Sequence, residues 1–160
     1  MKAVAVDLDA LGDTRLLWND FLDDAARRFA SIASLDPKSL PEDRAEAAAE
    51  LDRWAEAGIG DWRAALERFA EDRAPVYLRP SAEASAALRA LGRAGVRIGV
   101  FTDAPEPLAR VALAQLGAAR HVEAVETGVG ARERLLARFG GEVAVAETLD
   151  ALAKISGDAV

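Results

Sequence analysis

The sequence predicts an α/β protein whose parallel sheet is interrupted, after its first strand, by an all-helical insertion. Three observations carry that expectation. The chain opens on a short apolar run, Ala3 to Val6, that stops at Asp7 and Asp9. From Thr14 to about Ala74 apolar residues recur at three- and four-residue spacing, as one face of a helix requires. After "PVYLRP" the period changes, and short apolar runs alternate with amphipathic stretches to the end.

Taken in order, "AVAV" reads as a buried strand of a parallel sheet, because such strands are apolar on both faces. The helical region holds about three helices. Trp18, Leu22, Ala25, Phe29 and Ile32 mark the first. "PEDRAEAAAELDRWAEAG" begins on Pro41 with acids and stops at Gly58, and Trp62, Ala65, Leu66, Phe69 and Ala70 mark a third. "LDPKSLP" and the pair Gly58/Gly60 separate them. Trp18, Trp54 and Trp62 stand at helical positions and are expected to form the core of the insertion.

"SAEASAALRALGRAG" is a helix with Ser81 as N-cap and Gly95 at its end, and it feeds the strand "VRIGVFTD". "PEPLARVALAQLG" is a helix, "HVEAVE" a short strand, "ARERLLARFG" a helix, "EVAVAE" a strand and "LDALAKI" a last helix. Such alternation predicts right-handed crossovers and a sheet covered on both faces. The division is a core from 1–14 and 79–160 and a helical insertion from 15–78.

The chain has 160 residues, 51% hydrophobic and 29% charged, which suits one domain carrying a small insertion. With 27 acidic against 20 basic residues the net charge is -7, which argues against a nucleic-acid partner. There is no cysteine, so disulfides, thiolate nucleophiles and Cys-based zinc sites are excluded. The lone His121 heads a strand and reads as an ordinary edge residue. No apolar run approaches the roughly 20 residues that span a bilayer, so no membrane association is expected, and the expected location is the cytoplasm. "GVGARER" lacks the remaining glycine of a dinucleotide loop.

Two readings fit the aspartate pair. The carboxylates at the end of the first strand lie where open α/β sheets bind ligands, or they are a polar strand end capping the next helix. Asp7 and Asp9, the strand "IGVFTD" ending on Thr102, and the helical insertion between them together resemble the haloacid dehalogenase-like (HAD) hydrolase superfamily, in its helical-cap branch, over nearly the whole chain. The resemblance implies a Rossmann-like core with residues 15–78 as cap. It implies Asp7 as the nucleophile attacking phosphorus, Asp9 as the acid/base, and Thr102 as a hydrogen-bond donor to a phosphoryl oxygen. It further implies Mg2+, held by Asp7, the backbone carbonyl of Asp9 and an acid from a later loop.

The third and fourth motifs are degraded. Ala131 stands where the resemblance expects a lysine, with Arg132 next to it as the candidate replacement. Glu147 stands where the metal-binding aspartate is expected, and Asp150 lies near the second acid. Asp103 adds a further negative charge beside Thr102, and one edge strand of the family core is expected to be missing. The implied activity is a Mg-dependent phosphatase of a small phosphorylated metabolite. The alternatives are a catalytically impaired protein that binds a partner or metabolite, and, below both, a 2-haloacid dehalogenase that needs no magnesium.

Overall fold

The computed structural model describes residues 2–32 and 34–159. Residues 1 and 160, the outer bounds of the expected core, and Ala33, within the expected insertion, lie outside them. Four parallel strands form one sheet in the order β3-β2-β1-β4: β1 (Ala3–Asp7), β2 (Arg97–Thr102), β3 (Ala124–Thr127) and β4 (Val143–Ala146). Between β1 and β2 come a short α1 (Leu8–Leu11), then α2 (Arg15–Arg28), α3 (Arg44–Trp54), α4 (Trp62–Tyr77) and α5 (Ala82–Arg93). The remaining helices are α6 (Glu106–Gln115), α7 (Ala131–Phe139) and α8 (Leu149–Asp158).

Side-chain caps start these helices where short polar residues precede them. Asp43, Asp61, Ser81 and Thr148 accept the N–H of Glu46, Ala64, Ala84 and Ala151 at 2.9 to 3.1 Å. Several boundaries differ from the expectation. Helix α2 ends at Arg28, so Phe29 and Ile32 lie beyond it, and α3 runs only from Arg44 to Trp54 instead of from Pro41 to Gly58. The stretch around His121 is a 3-10 turn, Ala119–His121, so β3 begins only at Ala124; His121 precedes the strand instead of heading it. Helix α4 runs through Pro75 to Tyr77, because a proline so near a helix end removes little of the hydrogen-bond ladder.

The sheet is covered unequally. Val4, Val6, Ile98 and Val100 share one buried cluster with Leu88 of α5, Leu108 of α6 and Leu152 of α8. Ala5, Phe101 and Ala124 form a smaller second cluster with Ala131 and Leu135 of α7, against which Leu136, Phe139, Val143 and Val145 pack. Chain direction explains the split. The crossovers β1 to β2 to β3 move one way across the sheet, and the step from β3 to β4 moves back, so a crossover of the same hand lands on the opposite face. Close approach there needs Gly99, where an added Cβ would stand 2.6 Å from Leu135 Cδ1.

The insertion is welded to the core. Trp18, Phe21, Leu66 and Trp62 belong to the same buried cluster as the Val4 face, and Phe21 stacks on Trp18 and Phe69 at centroid distances of 5.9 and 5.8 Å. Trp18 and Trp62 are buried and Trp54 is half-buried against the cluster. Glu67 of α4 pairs with Arg110 of α6 at 2.7 Å. Among the described residues no helix is long and apolar enough to cross a membrane.

Candidate active site

A crevice of about 360 Å³ opens over the carboxyl ends of β1, β2 and β3. Its floor is Asp7, Asp9, Thr102 and Asp103; its walls are the Gly128–Val129–Gly130 turn with the start of α7 on one side and Arg15, Asp43, Arg44 and Glu46 of the insertion on the other. Gly128 and Gly130 have φ of 82° and 68°, the left-handed region that lets the chain turn into α7 with its amino end facing the crevice.

Asp7 ends β1, and its Oδ1 accepts the Asp9 N–H at 2.9 Å. Both readings of the aspartate pair are therefore realised in one residue, which caps α1 and lines the crevice. Burial raises the Asp7 pKa above the ordinary carboxylate value; the Asp9 N–H works against that rise, the Asp9 charge adds to it, Arg44 lowers it, and Asp103 raises it. The half-buried Asp9 is clamped on both oxygens. Oδ1 accepts the Thr14 N–H at 3.0 Å and the Thr14 hydroxyl at 2.7 Å, and Oδ2 accepts Arg44 at 2.9 Å. Thr14 stands at the N-cap position of α2 without making a side-chain cap, because its hydroxyl is spent on Asp9.

Arg44 is the residue that the sequence did not mark. It is the first residue of α3, 1% exposed, and its guanidinium reaches from the insertion into the crevice floor. Nε donates to Asp103 Oδ1 at 2.8 Å, one terminal nitrogen to Thr14 Oγ1 at 2.5 Å, and the other to Asp9 Oδ2 at 2.9 Å and Thr102 Oγ1 at 3.4 Å. Its backbone N–H donates to Asp103 Oδ2 at 3.0 Å. Asp103 is thus an anchor for the amino end of α3 as well as a charge in the crevice. The local signal was weak: an arginine in the first turn opposes the helix macrodipole by about 0.3–1 kcal/mol, which favours an acid nearby without saying which.

The other expected site residues separate into two groups. Thr102 is buried on the floor, its hydroxyl accepting the Ala104 N–H at 3.2 Å and an Arg44 N–H at 3.4 Å. Arg132 lines the crevice at the start of α7 but pairs at 2.7 Å with Glu147, and the two side chains are 46% and 58% exposed. Glu147 follows β4, on the far side of β1 from β2 and β3, and is absent from the crevice lining.

The donor set that the resemblance implies for magnesium is therefore split. Asp7 and Asp9 face the crevice, Glu147 does not, and among the described residues no group of three His, Cys, Asp or Glu side chains is placed to hold a metal. Magnesium demands near-octahedral oxygen ligands, and as arranged these residues do not fit it.

No family model and no curated protein matches the chain. Among solved structures it is similar to a crystal structure from Thermotoga maritima whose protein is provisionally assigned as a beta-phosphoglucomutase, with 17% identity, a TM-score of 0.58, and 98% of this chain and 82% of that one covered. At that identity the likeness shows the fold. The chain has a Rossmann-like α/β fold, a four-stranded parallel sheet with a helical insertion between its first two strands.

Proposed function

We propose that the chain is a HAD-type hydrolase of a small phosphate monoester, with the crevice as its active site. The observation that carries the reading is the placement of Asp7 and Asp9 together at the carboxyl end of β1, on the floor of a crevice whose opposite wall is a helix amino end. Asp7 Oδ2 meets no protein donor among the described residues and is free to attack phosphorus, forming an O–P bond as the ester P–O bond breaks. Asp9 gives the leaving alkoxide its proton, then takes one from the water that cleaves the acyl phosphate. Thr14 and Arg44 hold the Asp9 carboxyl in place, which limits its reorganisation between the two steps. The Thr102 hydroxyl and the amino end of α7 would receive phosphoryl oxygens.

The magnesium that the resemblance implies, on Asp7, the Asp9 carbonyl and Glu147, is the part of this reading that the arrangement supports least, because Glu147 is absent from the crevice lining. A second reading, a protein that binds a metabolite without turning it over, is favoured by the six acids against three arginines that line the crevice. Turnover of a generic aryl phosphate by the native protein, abolished in Asp7→Asn while the unfolding transition persists, is the expected result. Undetectable turnover in both would favour the binding reading. Release of halide from a 2-haloacid would favour the dehalogenase.

A further inference from the structure

Six carboxylate oxygens, those of Asp7, Asp9 and Asp103, stand on the crevice floor, and five accept hydrogen bonds. Asp7 Oδ1 takes the Asp9 N–H, Asp9 takes Thr14 and Arg44, and Asp103 takes the Arg44 guanidinium on one oxygen and its backbone N–H on the other. A divalent cation entering this floor would find Asp7 Oδ2 as the one carboxylate oxygen there that accepts no hydrogen bond among the described residues. The other acid expected to ligate it, Glu147, is not in the lining and is paired with Arg132, which is.

Arg44 meanwhile supplies what a cation supplies. It is a full positive charge, 1% exposed, between two acids that are themselves about three-quarters covered. A guanidinium stays charged at any working pH, and it screens Asp9 and Asp103 from an incoming anion in the way that a bound metal would. Four of its five N–H groups are committed to Asp103, Thr14, Asp9 and Thr102, which leaves one without a protein acceptor among the described residues.

We infer that this crevice binds its phosphoryl anion without a resident divalent cation, and that Arg44, delivered by the helical insertion, is the tethered cation in its place. The inference rests on the proposed phosphoryl chemistry of the site and goes beyond it. It makes the charge of the active site a property of the insertion: an anion binds strongly only while α3 is seated against Asp103.

The test is calorimetric titration of inorganic phosphate into the native protein, once in EDTA and once in excess magnesium, repeated with Arg44→Met and Arg44→Lys. Native affinity should agree within about twofold between the two conditions, and Arg44→Met should weaken it by about tenfold or more, as loss of a buried charge partner does. Arg44→Lys, which keeps the charge but not the fork, should fall between them. Magnesium that tightens phosphate by about tenfold overturns the inference but leaves the phosphoryl reading standing. Unchanged affinity in Arg44→Met overturns the role of Arg44. Absence of phosphate binding by native protein in both conditions overturns the phosphoryl reading and the inference with it. Should Arg44→Met fail to fold, manganese titration of the native protein followed by electron paramagnetic resonance decides: no stoichiometric site supports the inference, and one displaced by magnesium overturns it.

Discussion

Replacing Arg44 by methionine should be the most damaging single change in the crevice, and its cost can be worked from the geometry. Methionine keeps the apolar stem and deletes the guanidinium, so packing is largely preserved. Four acceptors lose a donor: Asp9 Oδ2, Asp103 Oδ1 and the buried hydroxyls of Thr14 and Thr102. Removing one partner of a buried ion pair costs about 3–5 kcal/mol, because the remaining charge is left uncompensated. Asp9 and Asp103 are 24% and 25% exposed, so water can reach both, and the lower end of that range, about 3 kcal/mol, applies here. For a chain of this size that is a fall of about 6–12 °C in the unfolding midpoint.

Urea unfolding of the native protein, Arg44→Met, Asp103→Asn and the double variant measures it. If the cost is uncompensated charge, Asp103→Asn should recover part of the Arg44→Met loss, with a coupling of about 1–3 kcal/mol. A single-variant loss below about 1 kcal/mol, or additive losses, would refute the reasoning, since surface ion pairs behave that way.

Asp7→Asn should stabilise the fold at pH 7. The folded-state pKa of Asp7 is raised, chiefly by burial, so folding favours its protonated form, and the penalty appears as pH rises through the unfolded and then the folded value. The gain should vanish below about pH 3.9, where both states are protonated; a gain that persists there would contradict the assignment. For the same reason the acidic limb of any pH–rate profile should lie above that of an ordinary aspartate, and Arg44→Met should move it further up. Gly99→Ala should cost about 1–3 kcal/mol in urea unfolding, because the new Cβ meets Leu135 and Phe139 at 2.6 and 2.7 Å, and an unchanged midpoint would show that α7 yields freely. Glu147→Gln should change stability by no more than about 0.5 kcal/mol and leave turnover of an aryl phosphate intact, its pair with Arg132 being half exposed. A large loss of turnover would instead return Glu147 to the site.

What the sequence determined by itself was what neighbouring residues decide among themselves. The β1 run, the cap at Ser81 and the switch from helical to alternating period after "PVYLRP" are local physics, legible because backbone capping and amphipathic spacing act within a few residues. Asp7, Asp9 and Thr102 were legible as crevice residues because strand ends in a parallel sheet share one edge. His121 was misplaced because a 3-10 turn and a short strand leave similar apolar traces.

Only the tertiary structure decided which charges meet. Arg44 and Asp103 are 59 residues apart, and nothing in either neighbourhood records that α3 will carry one onto the other. Glu147 and Arg132 find each other because β4 pairs with β1 on the side away from β2. An ion pair across the fold depends on where crossovers place whole elements, and a desolvated one gains its strength from the burial that such packing creates.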